Sequence, residues 1–223
     1  MRSPSGISRR TLLHLLVTSG IAGLGVNLAD LLASDMRPET PNLVVGPFYP
    51  LLKPLDRDAD LTRVRGHRGR AAGQVIDVSG RVLNRNGEPV RGARIELWQA
   101  NRHGRYAHPS DPNTAAPLDP DFQGFALQVT DRDGRYRFKT IKPGAYPGQG
   151  GSRMRAPHLH FDIQGRVDRK VTQMFFPDEP LNAQDRLFLD VPRDRQTLIA
   201  TVASRASETN ELALTWDITL AQG

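Results

Sequence analysis

From residue 75 onward the chain never sustains a helical period. Apolar residues recur at every second position in short runs, and each run stops at a turn signal. Residues 75–83 form the first run, closed by Asn84-Arg85-Asn86-Gly87. The next, 93–98, puts Ala93, Ile95 and Leu97 on one face. Residues 125–129 and 136–141 read as a hairpin across Asp131-Arg132-Asp133-Gly134. Further strands are expected at 158–163, 171–176, 197–203 and 212–220. A content of 20 Gly and 17 Pro suits loop-rich β architecture better than a helical bundle. With no internal repeat, these runs predict an all-β fold: one antiparallel β-sandwich of about eight strands.

Composition removes several functions. The absence of cysteine excludes disulfides, thiolate metal sites, iron–sulfur clusters and thiol nucleophiles. The formal charge of +6 is spread among acids, as in Asp131-Arg132-Asp133, and reads as a solvated surface. No basic cluster interleaved with aromatics is present, so no nucleic-acid partner is expected.

The first 35 residues read as an address. Ser8-Arg9-Arg10-Thr11-Leu12-Leu13 precedes a mostly apolar stretch and then small residues up to Ala33, the order of a twin-arginine export signal. Thr18, Ser19, Gly20, Gly23 and Gly25 dilute the stretch, so no stable membrane span is expected in the mature form. Export to the periplasm or beyond is the expectation, with residues 36–223 as the mature domain. Residues 36–70, rich in Pro, Asp and Arg, read as an extended arm. Gly46-Pro47-Phe48-Tyr49-Pro50 is a stiff aromatic piece of that arm, with Tyr49 a candidate pocket residue.

Two connections are long for a compact domain, and such loops carry function more often than not. Residues 101–123 hold His103, Tyr106 and His108, and residues 143–155 hold Tyr146. Between the second loop and the next strand lies Arg155-Ala156-Pro157-His158-Leu159-His160-Phe161-Asp162-Ile163. In a strand, His158 and His160 share one face while Leu159, Phe161 and Ile163 take the other. Two imidazoles so placed can share a metal, but a bare His-x-His by itself reads better as a solvated strand face, and the rest of the site has to decide.

Further motifs, in order along the chain, carry a resemblance. They are Leu97-Trp98-Gln99-Ala100-Asn101-Arg102-His103-Gly104-Arg105-Tyr106, Asp119-Pro120-Asp121-Phe122-Gln123-Gly124, Thr140-Ile141-Lys142-Pro143-Gly144-Ala145-Tyr146-Pro147 and Thr172-Gln173-Met174-Phe175-Phe176. Together they resemble the intradiol ring-cleaving dioxygenases, most of all the protocatechuate 3,4-dioxygenase branch. The resemblance implies Fe(III) held by Tyr106, Tyr146, His158 and His160, with Tyr146 the ligand that leaves when substrate binds. It implies that Arg155 is a catalytic cation beside the iron and that Gln173 lines the pocket. The implied reaction joins a small aromatic diphenol and O2 into a cis,cis-muconate-type diacid. A free phenol with a pKa near 10 is a poor ligand until a hard cation favours its anion, and Fe(III) is such a cation. The branch tends to carry tryptophan after the Tyr-Pro pair, where this chain has Gly148-Gln149-Gly150-Gly151, which leaves the choice of diphenol open. Relatives that pair two chains make a homo- or hetero-oligomer an expectation. The competing reading is an exported, non-catalytic sandwich that carries copper or zinc on its histidines.

Overall fold

The computed structural model describes residues 36–148, 153–206 and 211–223. The expected export signal, residues 1–35, lies outside the described residues. Two sheets enclose the main core. One contains β1 (Val75–Leu83), β4 (Arg135–Ile141), β9 (Thr201–Ala206), β10 (Glu211–Thr215) and β11 (Ile218–Thr219). The other runs in the order β3 (Phe125–Val129), β2 (Arg94–Trp98), β7 (His158–Gln164), β8 (Arg169–Phe175), and every pairing in it is antiparallel. A two-stranded ribbon joins β5 (Tyr146–Pro147) to β6 (Met154–Arg155). One short helix, α1 (Arg186–Leu189), follows β8.

The core forms where the period-two runs face each other. Ile76, Val78 and Phe138 from one sheet meet Ile95, Leu97, Leu159, Phe161 and Ile163 from the other, all fully buried. Each such side chain contributes roughly 1.5–3 kcal/mol through burial. The expected sandwich is therefore present, and the apolar face of 158–163 is the face that packs inward.

Three local expectations differ from the structure. Strands β3 and β4 do not form a hairpin, because β3 pairs with β2 while β4 pairs with β1 in the opposite sheet. The tight turn does form, with Gly134 N–H donating to Asp131 O at 3.1 Å and Asp131 Oδ1 accepting from Asp133 and Arg135. Its two ends are claimed by different sheets. The Thr130 hydroxyl donates to Val90 O at 2.7 Å and accepts from Ala93 N–H at 2.9 Å, while Gly134 O accepts from Val82 N–H at 2.8 Å.

The run expected at 212–220 is two strands. Trp216 N–H donates to Ser79 O at 2.8 Å, and the Trp216 carbonyl crosses directly over Gly80, where a Cβ would lie 1.8 Å from its oxygen. Tyr136 donates its hydroxyl to that carbonyl at 2.6 Å, which holds the break. Strands β10 and β11 both run parallel to β1, so this sheet is mixed. The run expected at 197–203 begins as a 3-10 turn at Arg195–Leu198 and becomes strand only at Thr201.

The arm is extended, as its composition implies, and is stitched to both sheets. Thr40 N–H donates to Thr219 O at 3.1 Å and Leu43 N–H to Val171 O at 2.8 Å. Further along, Leu127 N–H donates to Arg57 O at 2.9 Å and Leu61 N–H to Lys139 O at 2.8 Å. Midway, the fully buried Glu96 of β2 accepts the Tyr49 hydroxyl at 2.5 Å and binds Lys53 and Arg94. Burial pushes the Glu96 carboxyl up, but the hydrogen bonds from Lys53 and Tyr49 and the Arg94 charge outweigh it and hold the pKa below the usual value.

Glu96→Gln tests this anchor. Lys53 and Arg94 can both turn to water, so the loss should be about 2 kcal/mol in denaturant unfolding, less than a fully buried broken pair would cost. A carboxyl with a lowered folded pKa stabilises fully above the ordinary carboxylate range and loses that effect as pH falls through the lowered value. The difference between wild type and Glu96→Gln should therefore be largest at neutral pH and shrink in acid.

Candidate metal centre

Strand β7 presents His158 and His160 outward from the core, both nearly fully buried. Each ring is held by its cross-strand neighbour. His160 lies opposite Trp98 of β2 and stacks on its indole, with centroids 4.8 Å apart and planes at 11°. His158 lies opposite Phe175 of β8 and stacks at 5.7 Å and 30°. His158 Nδ1 sits 2.6 Å from Ala156 O, a contact that requires Nδ1 to carry the proton and leaves the Nε2 lone pair facing inward.

The two long loops bring the phenols to the same place. Tyr106 Oη lies 3.5 Å from Tyr146 Oη, Tyr146 Oη 3.2 Å from His158 Nε2, and His158 Nε2 3.1 Å from His160 Nε2. The Tyr106 and Tyr146 rings meet edge to face at 5.3 Å. All four residues expected from the sequence to share a metal are thus together. His103 and His108 are not in the cluster: His103 Nε2 faces Arg102, and the His108 ring lies beside Phe48. Among the described residues no group of three or more His, Cys, Asp or Glu is placed to hold a metal, so the donor set here depends on the two phenols.

The loops meet backbone to backbone. Gly104 has φ +72°, and a Cβ on it would lie 2.2 Å from Ala145 O. A Cβ on Gly144 would lie 2.5 Å from Arg102 O. Buried Asn101 ties both loops: its carbonyl accepts from Gly104 N–H at 3.0 Å and Gly144 N–H at 2.9 Å, and its Oδ1 accepts from His103 N–H and Arg105 N–H. Tyr106 N–H donates to Asp111 Oδ2 at 2.7 Å. Tyr146 instead sits on the two-residue ribbon, paired with Arg155.

Arg155 is aimed by a second carboxylate. Its Nε donates to Asp185 Oδ2 at 2.9 Å and its Nη2 to Gln173 Oε1 at 2.6 Å. Asp185 is fully buried, also accepts from Ala156 N–H, and caps α1 through Leu187 N–H and Phe188 N–H. Gln173, across from His160 on β8, spends its amide on Val44 O at 3.3 Å, so it meets the site through Arg155 and the arm. Tyr49 does not face the cluster. Its hydroxyl is committed to Glu96, and its ring packs edge-on against Trp98 at 5.0 Å, because the register puts Glu96 two residues before Trp98 on the same outer face. The aromatic that touches the phenols is its neighbour Phe48, 4.7 Å from the Tyr106 ring. The arm roofs the site there too: a Cβ on Gly46 would lie 3.2 Å from His160 Cε1.

Burial raises both phenol pKa values, Tyr106 well above the usual value; the neighbouring Tyr146 adds to this for Tyr106, and Arg155 opposes it for both. Burial and then the Arg155 charge lower His158 well below its usual value and His160 to about 3. The imidazoles are therefore neutral at neutral pH, with lone pairs available. Two neutral imidazoles and two phenols, buried at contact distance with little but each other to bond to, suit a small, highly charged cation that turns phenol into phenolate.

Comparison with known proteins gives the family, and the chain spans less than two thirds of the length of the first curated relatives it matches. The family model described as "Dioxygenase" matches residues 44–222. The protocatechuate 3,4-dioxygenase beta chain of Burkholderia cepacia is 49% identical over 150 residues, 65% of this chain and 63% of that protein. The alpha chain from Pseudomonas putida is 30% identical over 177 residues, 74% of this chain and 85% of that one. A solved dioxygenase domain from a dioxygenase carbohydrate-binding protein fusion of Streptomyces sp. SirexAA-E superposes with a TM-score of 0.63 at 28% identity, covering 83% of this chain and all of that one. The chain belongs to the intradiol ring-cleavage dioxygenase family.

Asn101, Asp111, Trp98, Phe175 and Asp185 were not singled out as site residues by the sequence. Trp98, Asn101 and Phe175 stand inside the recognised motifs, and only strand register and loop contact reveal their roles. Asp185 carries no local signal at all.

Gly104→Ala should separate the two loops. Its positive φ and the 2.2 Å approach to a backbone carbonyl leave no room for a methyl group, and a loss of about 2–4 kcal/mol is expected. Thermal denaturation checks the stability, and metal content per chain should fall in parallel because both phenols move.

Proposed function

We propose that this chain is an exported, non-haem Fe(III) dioxygenase that opens a catechol-type ring between its two hydroxyl-bearing carbons. The single observation carrying this reading is the buried convergence of Tyr106, Tyr146, His158 and His160 through contacts of 3.1–3.5 Å. Family membership supports it. These four side chains would hold Fe(III), which would supply Lewis acidity toward the diphenol oxygens.

The protein's own groups divide the remaining work. Tyr106 is tied through its backbone to Asp111 and backed by Phe48, which suits a permanent ligand. Tyr146, on a short ribbon, suits the ligand that gives way, and its freed phenolate can accept a diphenol proton. Arg155, fixed by Asp185 and Gln173, sets a positive charge beside the ring as negative charge develops on it. The arm at Gly46 and Phe48 keeps bulk water from the donor atoms.

The proposed substrate class is a small protocatechuate-like ortho-diphenol. The Burkholderia relative is named for protocatechuate, and others are named for hydroxyquinol and catechol. Assembly with a second copy or a companion chain belongs to the same proposal, since relatives occur as alpha and beta chains.

An oxygen-uptake panel over protocatechuate, catechol and hydroxyquinol tests the reaction, with visible absorption reporting tyrosinate-to-iron charge transfer. Tyr106→Phe should remove most of that colour, and His158→Ala should lower retained iron at least ~10-fold. Arg155→Gln should leave colour and iron intact while lowering turnover about 100-fold, as expected for loss of one preorganised charge. A colourless protein with stoichiometric zinc and no oxygen uptake would replace the oxygenase by the metal-carrying module. The export signal is tested separately: Arg9→Lys with Arg10→Lys should leave the protein in the cytoplasmic fraction.

A further inference from the structure

Tyr146 sits on the least supported backbone of the cluster. The ribbon β5–β6 has two residues in each strand, and among the described residues neither strand pairs with a main sheet. A ribbon of that size is marginal in water by itself. Its internal bonds are the Tyr146–Arg155 pairing and Gly148 N–H donating to Arg153 O at 2.7 Å. Keeping the Tyr146 hydroxyl 3.2 Å from His158 Nε2 therefore falls largely to whatever holds the two ends of the loop.

Both ends carry a cation, and one short stretch of chain holds both cations. At the start, beside the Gly144–Asn101 bond, Lys142 Nζ donates to Glu179 Oε2 at 2.9 Å and lies 5.4 Å above the Phe176 ring. At the finish, Arg155 Nε and Ala156 N–H both donate to Asp185 Oδ2, each at 2.9 Å. The Glu179 side chain is 12% exposed and that of Asp185 fully buried, so salt screens these pairs less than surface ones. The stretch between the two carboxylates is stiff. It contains the 3-10 turn Pro180–Ala183, with Asp185 N–H donating to Leu181 O at 3.0 Å and the Asn182 amide to Phe176 O at 2.9 Å. Next comes α1, whose Phe188 packs on Phe175 at 4.9 Å in a buried cluster with Ala156. A short rigid segment thus bridges the two ends of a longer loop.

We propose that the 179–185 turn is a brace for the Tyr146 ribbon, with Glu179 and Asp185 as positioning residues that set how readily Tyr146 gives way. Held at both ends, the loop leaves the ribbon as the part that swings. The release of Tyr146 rests on the ring-cleavage reading; the brace does not.

Hydrogen–deuterium exchange of the full-length protein, read by mass spectrometry, tests the brace with or without metal bound. Glu179→Gln should speed exchange at residues 146–148 roughly 5-fold and leave β7 unchanged. Lys142→Gln should match it, and the double variant should add nothing further, because each removes the same ion pair. Asp185→Asn has one carbonyl oxygen where two served, so exchange at the ribbon should rise at least ~10-fold. Glu39→Gln, which leaves the buried Lys170 unpaired elsewhere in the fold, controls for lost stability and should not single out the ribbon. In the iron-loaded protein, the tyrosinate resonance Raman bands that vanish in Tyr146→Phe should lose intensity in Glu179→Gln, while those of Tyr106 stay. Ribbon exchange unchanged in Glu179→Gln and Asp185→Asn, or raised equally across β7, would overturn the brace. Faster ribbon exchange with the Tyr146 bands at full strength would overturn its hold on Tyr146. A colourless protein would sink the ring-cleavage reading, and exchange alone would then decide the brace.

Discussion

The alternation of side chains along β7 is the constraint on which everything else rests. A strand has a two-residue period, so the same five residues that bury Leu159 and Phe161 in the core must set His158 and His160 on the opposite face. A slip of one residue in the pairing with β2 would exchange the core face and the histidine face together. The packing that stabilises the sandwich therefore also holds the donor geometry. Trp98 and Phe175, opposite the two histidines on either side, turn correct register into fixed ring planes.

The phenols obey a different physics. They come from loops, which have no ladder to position them, and their precision comes from contacts too close for any side chain. Gly104 against Ala145 and Gly144 against Arg102 let two backbones touch, and Asn101 bonds to both. Across the outside lies the arm, bonded to both sheets and pinned at Glu96. Gly46 and Phe48, from the same arm, close over His160 and Tyr106. Anchor and roof are one segment.

Burial sets the electrostatic character of the centre. It keeps the imidazoles neutral and the phenols protonated, and Arg155 adds positive charge at one side. Asp185 answers that charge with a carboxylate that also caps α1, so the short helix after β8 is coupled to the cation beside the site.

The alternating runs of the sequence contain the sandwich and its core, because burial of one face is a local property of a strand. His158, His160, Tyr106, Tyr146 and Arg155 were legible because their motifs carry them on recognisable strand ends and loops. The hairpin expected at 125–141 was not to be had from the same local rules: the turn is correct, and only the competing pull of Thr130 toward β2 and Gly134 toward β1 sends its arms to different sheets. Tyr49 failed as a pocket residue for a similar reason, since only register reveals Glu96 waiting beneath it. Asp185 and the Gly104–Ala145 contact join residues far apart in the chain. Sequence alone determined which face of each strand is apolar and which phenols and imidazoles stand on the recognised motifs. The tertiary structure alone decided which distant groups meet, because contacts across sheets and between loops depend on closing the chain rather than on any local pattern.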